Sequence, residues 1–247
     1  MVKKEAGKKK AIDIPEEKYV KWLSELSKDS GPVAGGKGAN LAEMFNAKFP
    51  VPPAFIVTAQ AFDAFITGAG LKEKIKDIIK KTDVNNTREL EENAKKVREM
   101  IEKAHMPEDM EREIREAYEI LSTEKLEKKS SPAFVAVRSS ATTEDLATAS
   151  FAGQQDTYTN IKGDEHLIDA VKRCFASLFT ARAVYYRHKK GFEKANALLA
   201  VVVQKMINSE KSGVMFTKNP MTQKDELVIE SVFGLGEGIV SGKIFPD

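Results

Sequence analysis

The sequence predicts an α+β chain, with helices and strands grouped along its length, and three observations predict it. A Lys- and Glu-rich stretch over 71–128 carries apolar residues at helical spacing, and a second amphipathic helix follows over about 164–190. The last quarter holds three β-rich runs, "ALLAVVVQKMI", "GVMFT" and "LVIESVF".

The elements are read in chain order. Residues 1–11, with Lys3, Lys4, Lys8, Lys9 and Lys10 and almost nothing apolar, read as a disordered basic tail. Val20 and Trp22 alternate with lysine as in a strand, whereas Leu23 and Leu26 would suit a helix; a strand is the preferred reading. The stretch "GPVAGGKGAN" then sets Gly31, Gly35, Gly36 and Gly38 around Lys37 and reads as a loop. Leu41, Met44 and Phe45 return at helical spacing after it, and Pro50, Pro52 and Pro53 end that helix before "AFIVT" at 54–58, a strand.

Leu90, Ala94, Val97, Ile101 and Ala104 share one helical face, and Ile114, Ala117 and Leu121 share another, so a helical hairpin is expected, inserted over about 71–130. Pro107 fits the first turn of its second helix, and the charges read as solvated faces with i,i+4 pairs. "PAFVAVRSSA" is a β-branched run ending in Arg138, feeding the small, polar stretch "TTEDLATASFAGQQDTY". The helix over 164–190 buries Leu167, Ile168, Val171, Phe175, Leu178, Phe179 and Tyr186, with Cys174 as a small buried residue among them. The three closing runs, separated by "NSEKS" and "KNPMTQKDE", are expected to be antiparallel strands of a second lobe over 194–247, after a first lobe over 12–193. No internal repeat is present.

Composition excludes several classes. The 39 basic and 37 acidic residues among 247 leave a formal charge of +2, which gives no reason to expect nucleic acid or an anionic membrane as partner. Without an apolar leader or a span of roughly 18 apolar residues, neither secretion nor a membrane segment is supported, and the cytoplasm is the default location. A single cysteine rules out an internal disulfide and a multi-cysteine zinc cluster. His105, His166 and His188 stand beside no nucleophile, and neither G-x-S-x-G nor H-E-x-x-H occurs.

The chemistry that remains is anion binding. Gly31, Gly36 and Lys37 nearly match a Walker A loop, but Gly38 stands where a hydroxyl would hold magnesium, so a P-loop is not expected. Glycine amides at a helix N-terminus still offer partial positive charge, and Lys37 adds a full one; the plainer alternative is a tight turn that needs glycine for φ > 0. Arg138 closes an apolar strand, where a guanidinium calls for a partner: phosphate oxygens, or an ion pair with Glu144 or Asp145.

Taken together, "GGKGANLAEM", "VPPAFIVT", "FVAVRSSATTEDLATASFAGQQDTY", "VVVQKMI", "SGVMFTKNP" and "IESVFGLGEGIVSG" resemble, in that order, the N-terminal ATP-grasp domain of the phosphoenolpyruvate synthase (pyruvate, water dikinase) family. Pyruvate phosphate dikinase and rifampicin phosphotransferase share that domain and are the alternatives; "SFAGQQDTY" favours the synthase branch. The resemblance implies an ATP-grasp-like, two-lobed domain with a helical insert. It further implies that ATP phosphates are held by Lys37 and Arg138 and covered by a loop bearing Gly153 and Thr157. Gln204 matches a nucleotide-contacting position, and Lys205, Met206 and Ile207 fall where an adenine hinge would lie.

The implied reaction converts ATP, pyruvate and water to phosphoenolpyruvate, AMP and phosphate, the β-phosphoryl of ATP passing to a histidine on a swivelling domain and from there to pyruvate. The histidine segment, the pyruvate-binding domain and the later magnesium-binding strands have no counterpart before Asp247. The expectation is therefore a C-terminally incomplete domain with no catalytic residue of its own, its partners being those domains in a longer enzyme or a separate subunit. Glu230 and Glu237 are the only carboxylates suitably placed for Mg2+. A non-catalytic nucleotide-binding subunit of a split enzyme is the further alternative.

Overall fold

The computed structural model describes residues 19–123, 131–142, 156–190, 198–242 and 244, which form two compact units divided between Gln204 and Lys205.

The first unit is built on a five-stranded sheet of β1 (Val20–Trp22), β2 (Ala54–Val57), β3 (Val135–Ala141), β4 (Thr157–Ile161) and β5 (Leu199–Lys205), in the order β1-β2-β5-β3-β4. β1 runs antiparallel to β2 with Val20 opposite Val57, and β2 antiparallel to β5 with Ala54 opposite Gln204. Strand alternation sorts the apolar residues to two faces. Phe55, Val57, Val135, Val137, Val201 and Val203 join the main core, whereas Ala54, Ile56, Ala200 and Val202 join a smaller one under α1 (Gly31–Asn46).

Among the described residues, five helices fill the main core. α2 (Ala59–Gly68) sends in Phe62 and Phe65, α3 (Lys72–Lys81) Ile75, α4 (Thr87–Lys103) Val97 and Ile101, α5 (Glu108–Ser122) Met110 and Ile114, and α6 (Asp164–Ser177) Leu167, Val171 and Phe175. Phe175 stacks obliquely on Phe62 and Phe65, with ring centroids 5.0 and 5.9 Å away. Polar ties fix the helices to the strands: both Glu113 carboxylate oxygens accept backbone N–H groups at the start of β1, from Tyr19 and Val20 at 3.0 Å. Tyr118 donates its hydroxyl to the Ala133 carbonyl at 2.6 Å and accepts from the Gly163 amide at 3.0 Å.

Several expectations are corrected. The expected helical hairpin is α4 and α5, but a further helix, α3, precedes it, and α3 and α4 are separated where Asn86 caps α4 by accepting the Glu89 amide. α2, a helix the periodicity did not reveal, starts where the Thr58 hydroxyl accepts the Ala61 amide at 3.1 Å. The helix over 164–190 breaks between α6 and α7 (Ala181–Lys189), because Thr180 leaves helical geometry and its hydroxyl caps the Ala183 amide. Arg138 does not end its strand: β3 continues through Ser139, Ser140 and Ala141. The run "ALLAVVVQKMI" does not join the other closing strands. Its residues 199–203 are buried on both faces, and that is the place of a central strand between β2 and β3.

The second unit contains β6 (Lys211–Phe216) and β7 (Val228–Phe233), an antiparallel pair with Met215 opposite Ile229, followed by the short α8 (Glu237–Val240). The Ser209 and Ser212 hydroxyls donate to the Gly234 carbonyl at 3.1 and 2.6 Å and close the hairpin's end. No described helix is long and apolar enough to cross a membrane.

Candidate functional site

The glycine-rich stretch is helical rather than a loop. α1 begins at Gly31 with Pro32 in its first turn, and it is interrupted at Gly35, where φ is 67° and ψ 171°. A side chain at Gly35 would be strained by that positive φ, and its Cβ would stand 2.3 Å from the Ser140 carbonyl oxygen. Gly38 is tight for another reason, since a Cβ there would lie 2.9 Å from the Ala34 methyl and 3.3 Å from Ile56. Glycine is demanded at Gly35 by β3 and at Gly38 by the Ala34 methyl of α1 together with Ile56 of β2. The plainer reading of the glycines thus applies to Gly35.

The interruption has an identifiable partner. In an unbroken helix, the Ala34 carbonyl would accept the Gly38 amide. Here the Ser140 hydroxyl stands between them, donating to the Ala34 oxygen at 2.8 Å and accepting from the Gly38 nitrogen at 3.2 Å. Ser140 is fully buried. A side chain inserted into the helical ladder is a known cause of a sharp kink.

Beyond the kink, Lys37 leans over the end of β3, and its Nζ donates to the Ser139 carbonyl at 3.2 Å. Ser139 is itself held, its amide and hydroxyl both donating to the Asp156 carbonyl at 3.1 and 3.2 Å. Arg138, half-buried, is the residue before Ser139 and lies on the face of β3 that Ser140 presents to α1. No ion pair to it forms among the described residues, and Glu144 and Asp145, its proposed partners, lie outside them.

Thr157 sits directly opposite Arg138 across the β3–β4 ladder, so the two side chains share a face. It opens β4 rather than lying on a loop. Gln204 falls on the same face of the sheet as Ala200 and Val202, again the side of α1, and its amide donates to the Pro52 carbonyl at 3.3 Å. Lys37, Arg138, Thr157 and Gln204 therefore belong to one side of one sheet, with the first three at the meeting of α1, β3 and β4.

The remaining predicted residues lie outside the first unit's described residues. Gly153 lies outside the described residues, and Met206 belongs to the second unit. Glu230, on β7 opposite Val214, and Glu237, at the start of α8, also belong to the second unit. Among the described residues no three His, Cys, Asp or Glu side chains gather as a metal site.

The other face of β3 and β4 packs against α6. Cys174 is buried beneath Val137, its thiol 3.7 Å from the Val137 carbonyl, and burial, with Asp156 adding to it, pushes the thiol well above its usual range. Tyr158 is raised for the same reasons, and its hydroxyl donates to the Asp156 carboxylate at 3.1 Å. The Arg173 guanidinium covers the Tyr158 ring 4.2 Å from its centroid. A groove of about 810 Å3 lined by Glu102, Lys162, His166, Asp169 and Arg173 contains none of the predicted nucleotide residues. His105, His166 and His188 are exposed.

Residues 31–247, from the first glycine of α1 onward, match the family model described as pyruvate phosphate dikinase, AMP/ATP-binding domain. The chain belongs to that family. It is 54% identical over 231 residues to the probable phosphoenolpyruvate synthase of Methanocaldococcus jannaschii, covering 93% of this chain and 19% of that protein. It is 52% identical over 228 residues to the probable phosphoenolpyruvate synthase of Archaeoglobus fulgidus, covering 92% of this chain and 30% of that protein. To the phosphoenolpyruvate synthase of Pyrococcus furiosus it is 46% identical over 263 aligned positions, covering 93% and 32%. The chain thus spans between about a fifth and a third of the length of these relatives.

As an AMP/ATP-binding domain of this family, the chain has its cationic corner where β3 passes the kinked helix. That corner was only partly visible in the sequence. Nothing in it singles out Ser139 and Ser140, the buried strand residues that seat Lys37 and its helix. The contacts span 102 to 106 residues, and no local pattern signals them.

Proposed function

We propose that this chain binds ATP through Lys37 and Arg138 and serves a phosphoenolpyruvate synthase reaction, in which the β-phosphoryl group of ATP passes to a histidine and then to pyruvate. The observation that carries the reading is the shared corner: a lysine from the kinked α1 bonds to the backbone carbonyl of the residue after Arg138, with Thr157 across the ladder. Two cations and a hydroxyl on one face suit a polyphosphate, whose oxygens accept several charge-assisted hydrogen bonds.

The chain's own part is positioning and charge neutralisation, which account for most of the catalysis of phosphoryl transfer. Lys37, already oriented by the Ser139 carbonyl, would exchange or share that bond with a phosphate oxygen. Arg138, rooted in a strand, would supply the forked contact, and the Thr157 hydroxyl a neutral one. Gln204 and the segment through Met206 would contact the base end of the nucleotide. Magnesium would accompany the triphosphate, with Glu230 and Glu237 as candidate ligands.

The phosphohistidine-bearing and pyruvate-binding parts would come from the remainder of a longer protein or from a separate subunit, acting in the cytoplasm. The relatives, which are phosphoenolpyruvate synthases by name, favour the synthase over the dikinase as the whole enzyme. The test is calorimetric titration of the chain with ATP, with inorganic phosphate as the comparison. Saturable binding of ATP that is weakened in Lys37→Ala and in Arg138→Ala supports the reading, and its absence in the unaltered chain refutes it. Transfer of label from β-labelled ATP to a supplied histidine-bearing domain then tests the reaction.

A further inference from the structure

The Ser140 hydroxyl is placed so that it governs Lys37 without facing a ligand. It is fully buried, it occupies the gap in the α1 ladder between the Ala34 carbonyl and the Gly38 amide, and Gly35 supplies the positive φ that opens the gap. Lys37 lies inside the four-residue span that the hydroxyl brackets. Its backbone direction is therefore fixed by where the second helical segment starts, and its Nζ meets the residue adjacent to Ser140.

We infer that Ser140 is a positioning residue for the nucleotide site: its hydroxyl holds α1 kinked at Gly35 so that Lys37 overhangs β3 beside Arg138. The inference rests on the ATP-binding reading above and adds to it a residue that would touch no nucleotide atom.

The physical alternative open to the chain makes the claim testable. Without the hydroxyl, the two groups it separates are each other's ordinary helical partners, and direct closure of the Gly38 to Ala34 hydrogen bond satisfies both. Ser140→Ala therefore removes a buried hydroxyl without leaving an orphaned donor, so the chain keeps its fold. What changes is the course of α1 and the reach of Lys37. A residue that only stabilised the domain would behave differently, lowering the melting temperature while leaving the affinity of the folded fraction alone.

The experiment is a double-mutant cycle on ATP binding by calorimetry, using the unaltered chain, Ser140→Ala, Lys37→Ala and the double variant, with thermal melts of each. Ser140→Ala is expected to weaken ATP binding by about tenfold or more with a melting temperature close to the parent. In the Lys37→Ala background, the same change is expected to add less than about threefold, because the group it positions is gone. Ser140→Cys, which fills the same space with a poor hydrogen-bonding group, gives the same reading should the alanine chain fail to fold.

Normal ATP binding by the parent together with unchanged binding by Ser140→Ala overturns the inference alone. So do losses that multiply fully in the double variant. A parent chain that does not bind ATP overturns the ATP-binding reading and the inference together.

Discussion

The Lys37 ammonium donates to the carbonyl oxygen of Ser139 at 3.2 Å, joining residues 102 positions apart in the chain. This bond brings a cation from α1 onto the strand that carries Arg138. A lysine spends much rotamer freedom when fixed, and a backbone carbonyl that pre-orients it lowers the entropy to be lost on meeting a phosphate.

Lys37→Ala is expected to cost about 2–5 kcal/mol of ATP binding, the range for removing one member of a desolvated charge pair. Lys37→Arg is not a substitute, because a planar fork cannot replace a point donor seated on one carbonyl. Calorimetry on both variants measures the effect, and affinity unchanged in either contradicts the assignment.

Gly35→Ala is expected to destabilise the first unit by about 1–3 kcal/mol, since φ of 67° is unfavourable for alanine and its Cβ meets the Ser140 backbone at 2.3 Å. Gly31→Ala, where nothing lies within 4 Å of a new Cβ, is the control and should be near neutral. Chemical denaturation of the two variants compares them directly.

Alkaline pH should weaken the fold through Cys174. Burial, with Asp156 adding to it, raises its folded pKa above the ordinary 9.0, so the folded state keeps the proton that the unfolded chain releases. The corresponding stability is intact below about pH 9 and declines as pH rises above it, by at most about 1.4 kcal/mol per pH unit for this group. Cys174→Ala should flatten that decline between pH 8 and about 10, and a disulfide reagent should label the parent only on unfolding. Rapid labelling of the native chain would contradict the burial argument.

The hairpin of the second unit presents a directly opposed apolar pair, Met215 and Ile229, exposed by 59% and 66%. Open strands with such a face promote association between chains. Met215→Lys with Ile229→Thr is expected to raise the concentration at which the chain stays monodisperse in light scattering and to leave the first unit's melting temperature unchanged. A fall in that temperature would mean the pair carries more packing than its exposure allows.

Much of the architecture was legible in local pattern. The period of Leu90, Ala94, Val97 and Ile101 identified the buried stripe of α4, and the β-branched runs located β2, β3, β6 and β7. The stripe of the helix over 164–190 was recognised as well, but its break at Thr180 was not, because a serine or threonine cap looks the same as a polar surface residue until its hydroxyl finds an amide. The assignment of β5 to the wrong sheet has a similar origin. Strand pattern gives the faces of a strand but not its neighbours, and a central position between β2 and β3 is settled by long-range pairing.

By itself, the sequence determined the type of most elements, the apolar faces that build the core and the identity of the cations available to a phosphate, since these depend on residue chemistry and short periodicities. Tertiary structure decided that the glycine stretch is a kinked helix, that Ser140 fills the kink, and that Lys37, Arg138 and Thr157 share one corner. Those facts rest on steric and hydrogen-bond complementarity between segments roughly a hundred residues apart, which exists only once the sheet has formed.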